Sequence, residues 1–424
     1  MMFAFNEVGM SFRLSGPVGF AVAGLAMTGL MVGAAAPSPL YPVYQQLWGF
    51  SSFTLTVVFA VYVVALLGTL LTIGSLADHI GRRPMLVGGL LLLAAAMVIF
   101  ANADGVGTLL VARIVQGVAT GAITGAVSAL ILDLQPSSHV GSVVTGGAPG
   151  IGLALGAALA GGLVQHAPAP RQLVFWVLLA SYVVLAAAAV FAPEESRRRP
   201  DARVIRSAIR PSVGVAPEAR STFVAWAPAI SATWALGGLY LSLGSSAVSR
   251  LLGVTDHFVV GLVLASFFAP AGLVLLVIRP VPQPVRRTLG LASLGSGVVV
   301  TIIGVLLSSS VVYVLGSMVA GVGFGVTFQA AVAAIGAVTP ASNRAQTFAA
   351  TYVLGYTAFS IPAVVAGLAA QDWGLRPTLV GYGVLDVALV LTAAVLAVRA
   401  ARRAAAAAAG AVCPAELATV HAES

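Results

Sequence analysis

Long apolar segments alternate with short polar breaks along the whole chain. Each apolar segment is about twenty residues long, which is the length that a helix needs to cross the hydrocarbon core of a bilayer. The pattern predicts an all-α polytopic membrane protein with twelve transmembrane helices. The predicted spans, numbered 1 to 12, are 16–36, 53–73, 85–103, 108–132, 140–165, 173–192, 221–249, 257–278, 288–307, 311–338, 346–370 and 377–398.

The composition narrows the class of protein further. Hydrophobic residues make up 59% of the 424 residues, only 8% are charged, and the mean hydropathy is +1.02. The net charge of +8 comes from arginine, because the chain contains no lysine. Without lysine there can be neither a phosphate-binding G-x-x-x-x-G-K-[ST] loop nor a Schiff-base cofactor. Any uphill transport is therefore expected to use an ion gradient and not ATP bound to this chain.

Arginine is concentrated in alternate loops, which fixes a topology. The loops and tail predicted to be cytoplasmic contain Arg82, Arg83, Arg197, Arg198, Arg199, Arg203, Arg206, Arg210, Arg220, Arg279, Arg286, Arg287, Arg344, Arg399, Arg402 and Arg403, whereas the outer loops contain Arg171, Arg250 and Arg376. Because basic residues accumulate on the cytoplasmic side, we predict a multi-pass protein of the cell membrane with both termini in the cytoplasm. This charge reflects topology, and no nucleic-acid partner is expected.

The second half of the sequence repeats the first at an offset of 204 residues. Matching pairs are Gly49 and Gly253, Arg82 and Arg286, Arg83 and Arg287, Gly117 and Gly321, Gly121 and Gly325, and Pro136 and Pro340. Two charged positions are not repeated, because Asp78 corresponds to Pro282 and Arg113 to Ser317. The repeat predicts two six-helix pseudo-repeats. The expected units are an N-terminal half at 1–192, a cytoplasmic linker at 193–220, a C-terminal half at 221–398 and a cytoplasmic tail at 399–424.

A charged turn, GSLADHIGRRP at 74–84, separates spans 2 and 3. Gly74 allows close helix approach, Asp78 can accept hydrogen bonds, and Gly81 permits a tight reversal. A generic cytoplasmic loop would explain Arg82 and Arg83 but not the two glycines with the aspartate. The spacing G-x-L-x-D-x-x-G-R-R resembles the loop between spans 2 and 3 of the major facilitator superfamily.

The resemblance implies a secondary active transporter that works by alternating access, with its substrate site between the two halves near the bilayer midplane. It also implies that an acid at the end of span 4, here Asp133, pairs with Arg82, while Asp78 faces the start of span 11. These residues would form a conformational latch that stabilises the inner-closed, outward-open state. The alternative for Asp133 is an ordinary residue at a span boundary. The expected latch consists of Gly74, Asp78, Gly81, Arg82, Arg83 and Asp133.

Span 4 places a full charge inside the predicted membrane region, at Arg113. Burying it at the centre of a helix costs about 2.5 to 3.5 kcal/mol on insertion scales, so it needs a polar partner or a wet cavity. The simpler reading is an arginine that reaches the membrane surface with its long side chain. The sequence Arg113-x-x-Gln116-Gly117 also resembles the superfamily's span 4 motif, which implies a role in proton coupling or in the central cavity.

Span 5 carries glycines at spacings that resemble the family's antiporter motif, G-x-x-x-G-P-x-x-G-G. Gly152, Gly156 and Gly161 match it, whereas Ala157 replaces the proline and Ala160 replaces one glycine. Small residues at this spacing would also pack helices closely in any membrane protein. The departures weaken the inference of antiport but not that of transport.

Further candidates lie on spans that line the cavity in the family, although each could equally be a packed or interfacial residue. These substrate-cavity candidates are Trp226, Trp234, Gln329, Tyr352 and Tyr356. Asp386 lies near the middle of span 12, and an acid inside the membrane is a candidate proton site. In the resembled fold, however, span 12 is peripheral to the cavity.

Few charged and many apolar cavity positions favour proton-coupled efflux of hydrophobic or amphipathic small molecules. The alternative is uptake or facilitated transport of a small polar solute such as a sugar or organic acid, and a non-transporting membrane sensor is more remote. Scattered histidines give no catalytic or metal cluster, so neither an enzyme nor a metal or other cofactor is predicted. The expected partners are a small-molecule substrate, protons and the lipid bilayer, and we expect a monomer.

Overall fold

The computed structural model describes residues 14–76, 80–192, 213–278 and 280–420, without the side chains of 75, 401 and 403–420. Within this part of the chain the structure is helical and contains no strand. Twelve of its helices are long and apolar enough to cross a membrane. The predicted all-α fold with twelve transmembrane helices is therefore confirmed.

The twelve long helices are labelled α1 to α12, so that each label carries the number of the predicted span. They are α1 Gly16–Ala35, α2 Ser52–Ile73, α3 Arg82–Ala101, α4 Val106–Leu134, α5 Ser138–His166, α6 Leu173–Val190, α7 Arg220–Ser242, α8 His257–Val277, α9 Gln283–Leu306, α10 Ser310–Val338, α11 Arg344–Asp372 and α12 Leu375–Val420. Two short helices, Tyr41–Trp48 and Gly244–Leu251, follow α1 and α7.

Three helix boundaries differ from the predicted spans by five residues or more, at the start of α9 and at the ends of α7 and α12. Helix α9 begins at Gln283 and includes Arg286 and Arg287, which the hydropathy pattern left outside the span; Pro284 stands at one of its first two positions, where proline is well tolerated. Span 7 was predicted as one segment to 249, but α7 ends at Ser242 and a separate short helix follows. Helix α12 continues to Val420 through the alanine-rich tail, since alanine has the highest helix propensity.

Local sequence explains several helix ends. The side chains of Ser51, Ser137, Asp256 and Ser309 each accept a hydrogen bond from a backbone N–H in the first turn of α2, α5, α8 and α10. Such caps satisfy N–H groups that have no partner within the helix. At the end of α1, the prolines at 37, 39 and 42 replace regular helix by a 3₁₀ turn at Ser38–Leu40 and the short helix Tyr41–Trp48.

The same helix pairs pack in the first six and in the last six helices. In the first group, α1 packs on α5, α2 on α4, and α3 on both α4 and α6. In the second group, α7 packs on α11, α8 on α10, and α9 on both α10 and α12. Gly49 and Gly253, which are 204 residues apart, also share an unusual backbone, with φ of +65° and +67°. These matches support the predicted pseudo-repeats.

The two groups of helices meet along α5 with α8 and along α2 with α11. We call the face with the Gly74–Arg83 turn the turn face, and the face with the two short helices the short-helix face. At the short-helix face, Ser38 Oγ donates to the Leu241 carbonyl at 2.8 Å. Ser246 Oγ and Arg250 Nη2 both donate to Gln45 Oε1 at 3.2 Å. These hydrogen bonds tie the two groups together on that face.

Candidate functional site

Arg113 lies two turns inside α4 and is completely buried. Its Nη1 donates to Gln116 Oε1 at 2.8 Å and to the Ala34 carbonyl at 3.3 Å, and its Nη2 donates to the Tyr41 hydroxyl. Arg113 therefore does not extend to the membrane surface. The simpler reading of this residue is wrong. Neutral acceptors from α1, from the short helix Tyr41–Trp48 and from α4 surround its charge.

Aromatic rings complete the surroundings of this guanidinium. Its Cζ lies 5.3 Å from the ring centroid of Tyr62 and 5.7 Å from those of Tyr41 and Phe100. Such contacts stabilise a cation by about 2 kcal/mol or more when water is excluded. Within the described residues Arg113 forms no ion pair, and its Nε has no hydrogen-bond partner. The site is therefore a buried positive charge without a neighbouring carboxylate.

The break after α1 supplies one anchor of this network. Pro37 stands four residues after Gly33 and has no N–H, so the Gly33 carbonyl lacks its usual donor in the helix. Gln116 Nε2 donates to that carbonyl at 2.7 Å. The proline at the end of α1 thus leaves an acceptor that fixes Gln116, and Gln116 in turn holds Arg113.

Two glycines bring α2 close enough for Tyr62 to cover Arg113. A Cβ at Gly117 would overlap the Tyr62 carbonyl oxygen, and a Cβ at Gly121 would overlap the Leu66 carbonyl oxygen. One turn farther, a Cβ at Gly125 would lie 3.2 Å from the Gly74 carbonyl oxygen. The glycine face of α4 therefore sets the distance between α2 and the buried charge.

An aromatic cluster between α7, α10 and α11 forms the second part of the candidate site. The ring of Trp234 lies 4.6 Å from Tyr356, 5.4 Å from Phe328, 5.8 Å from Phe359 and 6.2 Å from Tyr352, measured between centroids. Phe59 of α2 extends it into the first group, 5.0 Å from Phe359. We call these six residues the aromatic cluster. Through Phe59 and Tyr62, one turn apart on α2, the cluster adjoins the surroundings of Arg113.

The exposed position of Tyr352 indicates where the cluster is open. Tyr352 is 37% exposed, although α11 presents its lipid-facing stripe at Ile361, Val365 and Leu368. At 100° per residue, Tyr352 lies on the opposite side of the helix from that stripe. Its free surface therefore faces the space between the two groups of helices and not the lipid.

Two of the predicted cavity residues lie elsewhere. Gln329 accepts a hydrogen bond from Arg286 Nη1 at 3.1 Å, within the packing of α9 against α10 on the turn face. Trp226 lines a separate cavity at the turn-face ends of α7, α9 and α12. The structure thus brings Trp234, Tyr352 and Tyr356 together but separates Gln329 and Trp226 from them.

The described part of the charged turn contains an ion pair. Arg82 pairs with Asp133 and also donates from Nη1 to the Ala129 carbonyl at 3.2 Å, which joins the start of α3 to the end of α4. Gly81 adopts φ +102°, a conformation that favours glycine, and Arg83 beside Arg82 is half-buried. Asp78 lies outside the described residues.

The predicted glycine motif of span 5 divides between two neighbours. A Cβ at Gly152 would lie 2.6 Å from the Thr28 carbonyl oxygen, and one at Gly156 would overlap the Val32 carbonyl oxygen, both on α1. A Cβ at Gly161 would overlap the His257 carbonyl oxygen and lie 3.1 Å from Gly261 Cα, both on α8. These glycines let α5 pack closely within its own group and across to the other group.

Asp386 lies on α12, a helix that contributes no described residue to the surroundings of Arg113 or to the aromatic cluster. Its side chain is 1% exposed, and neither carboxyl oxygen has a hydrogen-bond partner among the described residues. One turn earlier, Tyr382 donates its hydroxyl to the Ala235 carbonyl of α7 at 2.7 Å. An acid buried without a partner is neutral when it carries a proton, which avoids the cost of an isolated buried charge.

Sequence reasoning did not identify Tyr41, Tyr62 and Phe100 around Arg113, nor Phe59, Phe328 and Phe359 in the cluster. Most of these residues are unremarkable aromatic positions in apolar spans, and only the packing of α2 against α4 and α11 assembles them. One signal was available in the sequence. Pro37, four residues after Gly33, indicates a free carbonyl at the end of span 1 that needs a donor from a neighbouring helix.

Comparisons with known proteins agree with the observed fold. A family model for the Major Facilitator Superfamily matches residues 21–281. The multidrug resistance protein MdtL of Shewanella oneidensis is 36% identical over 97 residues, which are 23% of this chain and 24% of MdtL. The quinolone resistance protein NorA of Staphylococcus aureus is 25% identical over 133 residues, which are 29% of this chain and 34% of NorA. The chain thus matches only a quarter to a third of the length of these curated relatives.

A solved structure extends the likeness to nearly the whole chain. It is the crystal structure of a bacterial homologue of the human lysosomal transporter Spinster, in an inward-facing and unoccupied conformation. The TM-score is 0.69 at 14% sequence identity, covering 90% of this chain and 97% of that one. At this identity the likeness concerns the fold.

Proposed function

Because the chain belongs to the Major Facilitator Superfamily and is a transporter, we propose that it exports hydrophobic or amphipathic small molecules in exchange for protons. It would work by alternating access as a monomer in the cell membrane, with the turn face and both termini in the cytoplasm. The relatives named for multidrug and quinolone resistance support export, although they match only part of the chain.

The observation that carries this proposal is the aromatic cluster. Its six residues offer ring faces and two phenol groups, and none of them carries a charge. Sites of this kind bind apolar ligands through contact area, while a few polar groups fix the orientation of the ligand. Arg113, one helix away, would supply the single strong electrostatic contact for the polar end of an amphipathic substrate.

The contacts between the two groups of helices support a particular state. Among the described residues, the hydrogen bonds between the two groups lie at the short-helix face. On the turn face, Arg82 pairs with Asp133 inside the first group of helices, and Arg286 pairs with Gln329 inside the second group. Neither pair joins the two groups. We infer an outward-closed conformation, in which an exporter would load substrate from the turn face. Outward opening would break the contacts of Ser38 and Gln45.

Coupling to protons needs a group that gains and loses a proton, and arginine does not do so in proteins. We infer that Arg113 acts as a fixed charge, and that Asp386 is the acid that carries the proton. The Asp386→Asn variant is then expected to lose uphill transport while retaining downhill efflux of a preloaded fluorescent substrate. Uphill accumulation at the wild-type level would rule out this role, and Asp372→Asn at the end of α11 is the matched control.

The experiment that tests the function measures proton release from energised inside-out vesicles after addition of lipophilic drugs, sugars or organic acids. We expect release only with the lipophilic compounds, and its loss in Arg113→Ala. The control is Arg376→Ala, which removes an exposed arginine hydrogen-bonded to Ser308 on the short-helix face. If folded protein in the membrane releases no protons with any compound, the antiport proposal fails. Uptake or facilitated transport of a polar solute then becomes the leading hypothesis.

A further inference from the structure

A cavity of about 740 Å³ lies at the turn-face ends of α7, α9 and α12, apart from the aromatic cluster and from Arg113. Three arginines line it, one from each helix: Arg220, Arg287 and Arg399. Arg287 is half-buried and the other two are exposed, and none forms an ion pair with a described residue. The cavity therefore has an excess of positive charge at its rim.

Apart from Ser221 and Thr222 near the start of α7, the remaining lining of this cavity is apolar. Trp226, Leu291 and Leu396 contribute the largest side chains, and Ala229 and Ala393 lie deepest along their helices. Val224 also lines the cavity and is 64% exposed on a helix that crosses the membrane, so the cavity opens sideways toward the lipid. Its chemistry matches a molecule with an anionic head and an apolar chain.

We propose that this cavity binds an anionic phospholipid from the adjacent leaflet. The arginines would hold the phosphate, because guanidinium groups form paired hydrogen bonds with phosphate oxygens. One acyl chain would lie against Trp226 and Leu291. Basic pockets between transmembrane helices at the cytoplasmic side are suited to lipid head groups, and the cytoplasmic leaflet is rich in anionic lipids. The proposal is independent of the transported substrate.

The test is native mass spectrometry of the purified full chain with phosphatidylglycerol and with phosphatidylcholine of the same acyl chains. The matched variants are Arg399→Gln and Arg402→Gln, three residues apart on α12, of which only Arg399 lines the cavity. We expect about fivefold weaker phosphatidylglycerol binding in Arg399→Gln and on the order of 100-fold in the Arg220, Arg287 and Arg399 triple glutamine variant. Arg402→Gln should change binding by less than about twofold.

Equal binding of the two lipids, or equal loss in the two single variants, would overturn the proposal. Inorganic phosphate serves as a third probe, because it shares the chemistry of the head group but has no chain. Displacement of the lipid by an equal concentration of phosphate would indicate an anion site and also overturn the lipid assignment. If the triple variant does not fold, brominated phosphatidylglycerol should quench wild-type fluorescence more than that of Trp226→Phe, and equal quenching would count against the proposal.

Discussion

Arg113 and Ser317 occupy equivalent positions, 204 residues apart and each seven residues after the first residue of its helix, α4 or α10. Arg113 is a buried cation among neutral acceptors and aromatic rings. Ser317 instead shares a hydrogen bond of 2.6 Å with the Tyr240 hydroxyl and donates to the Tyr313 carbonyl at 2.8 Å. The two groups of helices thus use a similar scaffold for different chemistry at the same position.

The difference in energy between the two positions suggests which one is functional. The Ser317 network is neutral and satisfied, so it contributes about 1 kcal/mol for each hydrogen bond, as in an ordinary core. A buried arginine costs about 2.5 to 3.5 kcal/mol before its partners offset that cost. A charge held in this way without a carboxylate adds little stability beyond what an apolar residue would provide. We infer that it is retained for transport.

Substitution of Arg113 is expected to cause the largest loss of efflux. Arg113→Ala should reduce efflux by about 100-fold, because charge-assisted hydrogen bonds contribute about 1.5 to 3 kcal/mol each and the partners Gln116 and Tyr41 would lose theirs. Ser317→Ala should reduce it by less than about threefold. Efflux of a fluorescent lipophilic substrate, normalised to the amount of protein in the membrane, measures both. Similar losses of efflux in the two variants would mean that Arg113 is no more important for transport than Ser317, which contradicts the proposed difference between the two positions.

A substitution in the aromatic cluster should cause the next largest loss of transport, through weaker substrate binding. Trp234→Ala removes a ring that contacts four others, and each aromatic pair contributes about 0.5 to 1.5 kcal/mol beyond area burial. We expect KM for lipophilic substrates to rise about tenfold. The control is Tyr240→Phe, which keeps the ring that stacks 4.2 Å from Phe267 and should leave KM within about twofold. An unchanged KM in Trp234→Ala would remove the cluster from the substrate site.

Sequence and structure agree most closely where a single helix determines the outcome. The twelve spans follow from hydropathy, and the glycines of α4 follow from their spacing of four residues. Gln329 shows the limit, because its pairing with Arg286 depends on how α9 and α10 pack side by side. Tyr62 and Phe59 were missed for the same reason, since their neighbours Arg113 and Phe359 lie far away in the sequence. Such contacts follow from tertiary packing, which hydropathy does not encode.

A third prediction concerns the glycine that sets the position of α2. Gly117→Ala should destabilise the protein by about 1 to 3 kcal/mol, because its Cβ would overlap backbone that cannot move independently. The matched control is Gly88→Ala on α3, where a Cβ meets nothing within 4 Å and the change should be neutral or slightly stabilising. Thermal unfolding in detergent measures both variants. A stable Gly117→Ala protein would mean that α2 and α4 are less constrained than their packing indicates.

Removal of the ion pair between Arg82 and Asp133 should have the smallest effect on the free energy of unfolding. The side chains of Arg82 and Asp133 are 30% and 37% exposed, and ion pairs at this exposure contribute about 0.2 to 1 kcal/mol. Asp133→Asn should therefore shift the unfolding temperature by only a few degrees. If the pair belongs to a conformational latch, the same variant should still change the rate of alternating access, measured as substrate exchange across vesicles. A change in exchange without a change in stability would distinguish a switch from a structural contact, and unchanged exchange would leave Asp133 as a boundary residue.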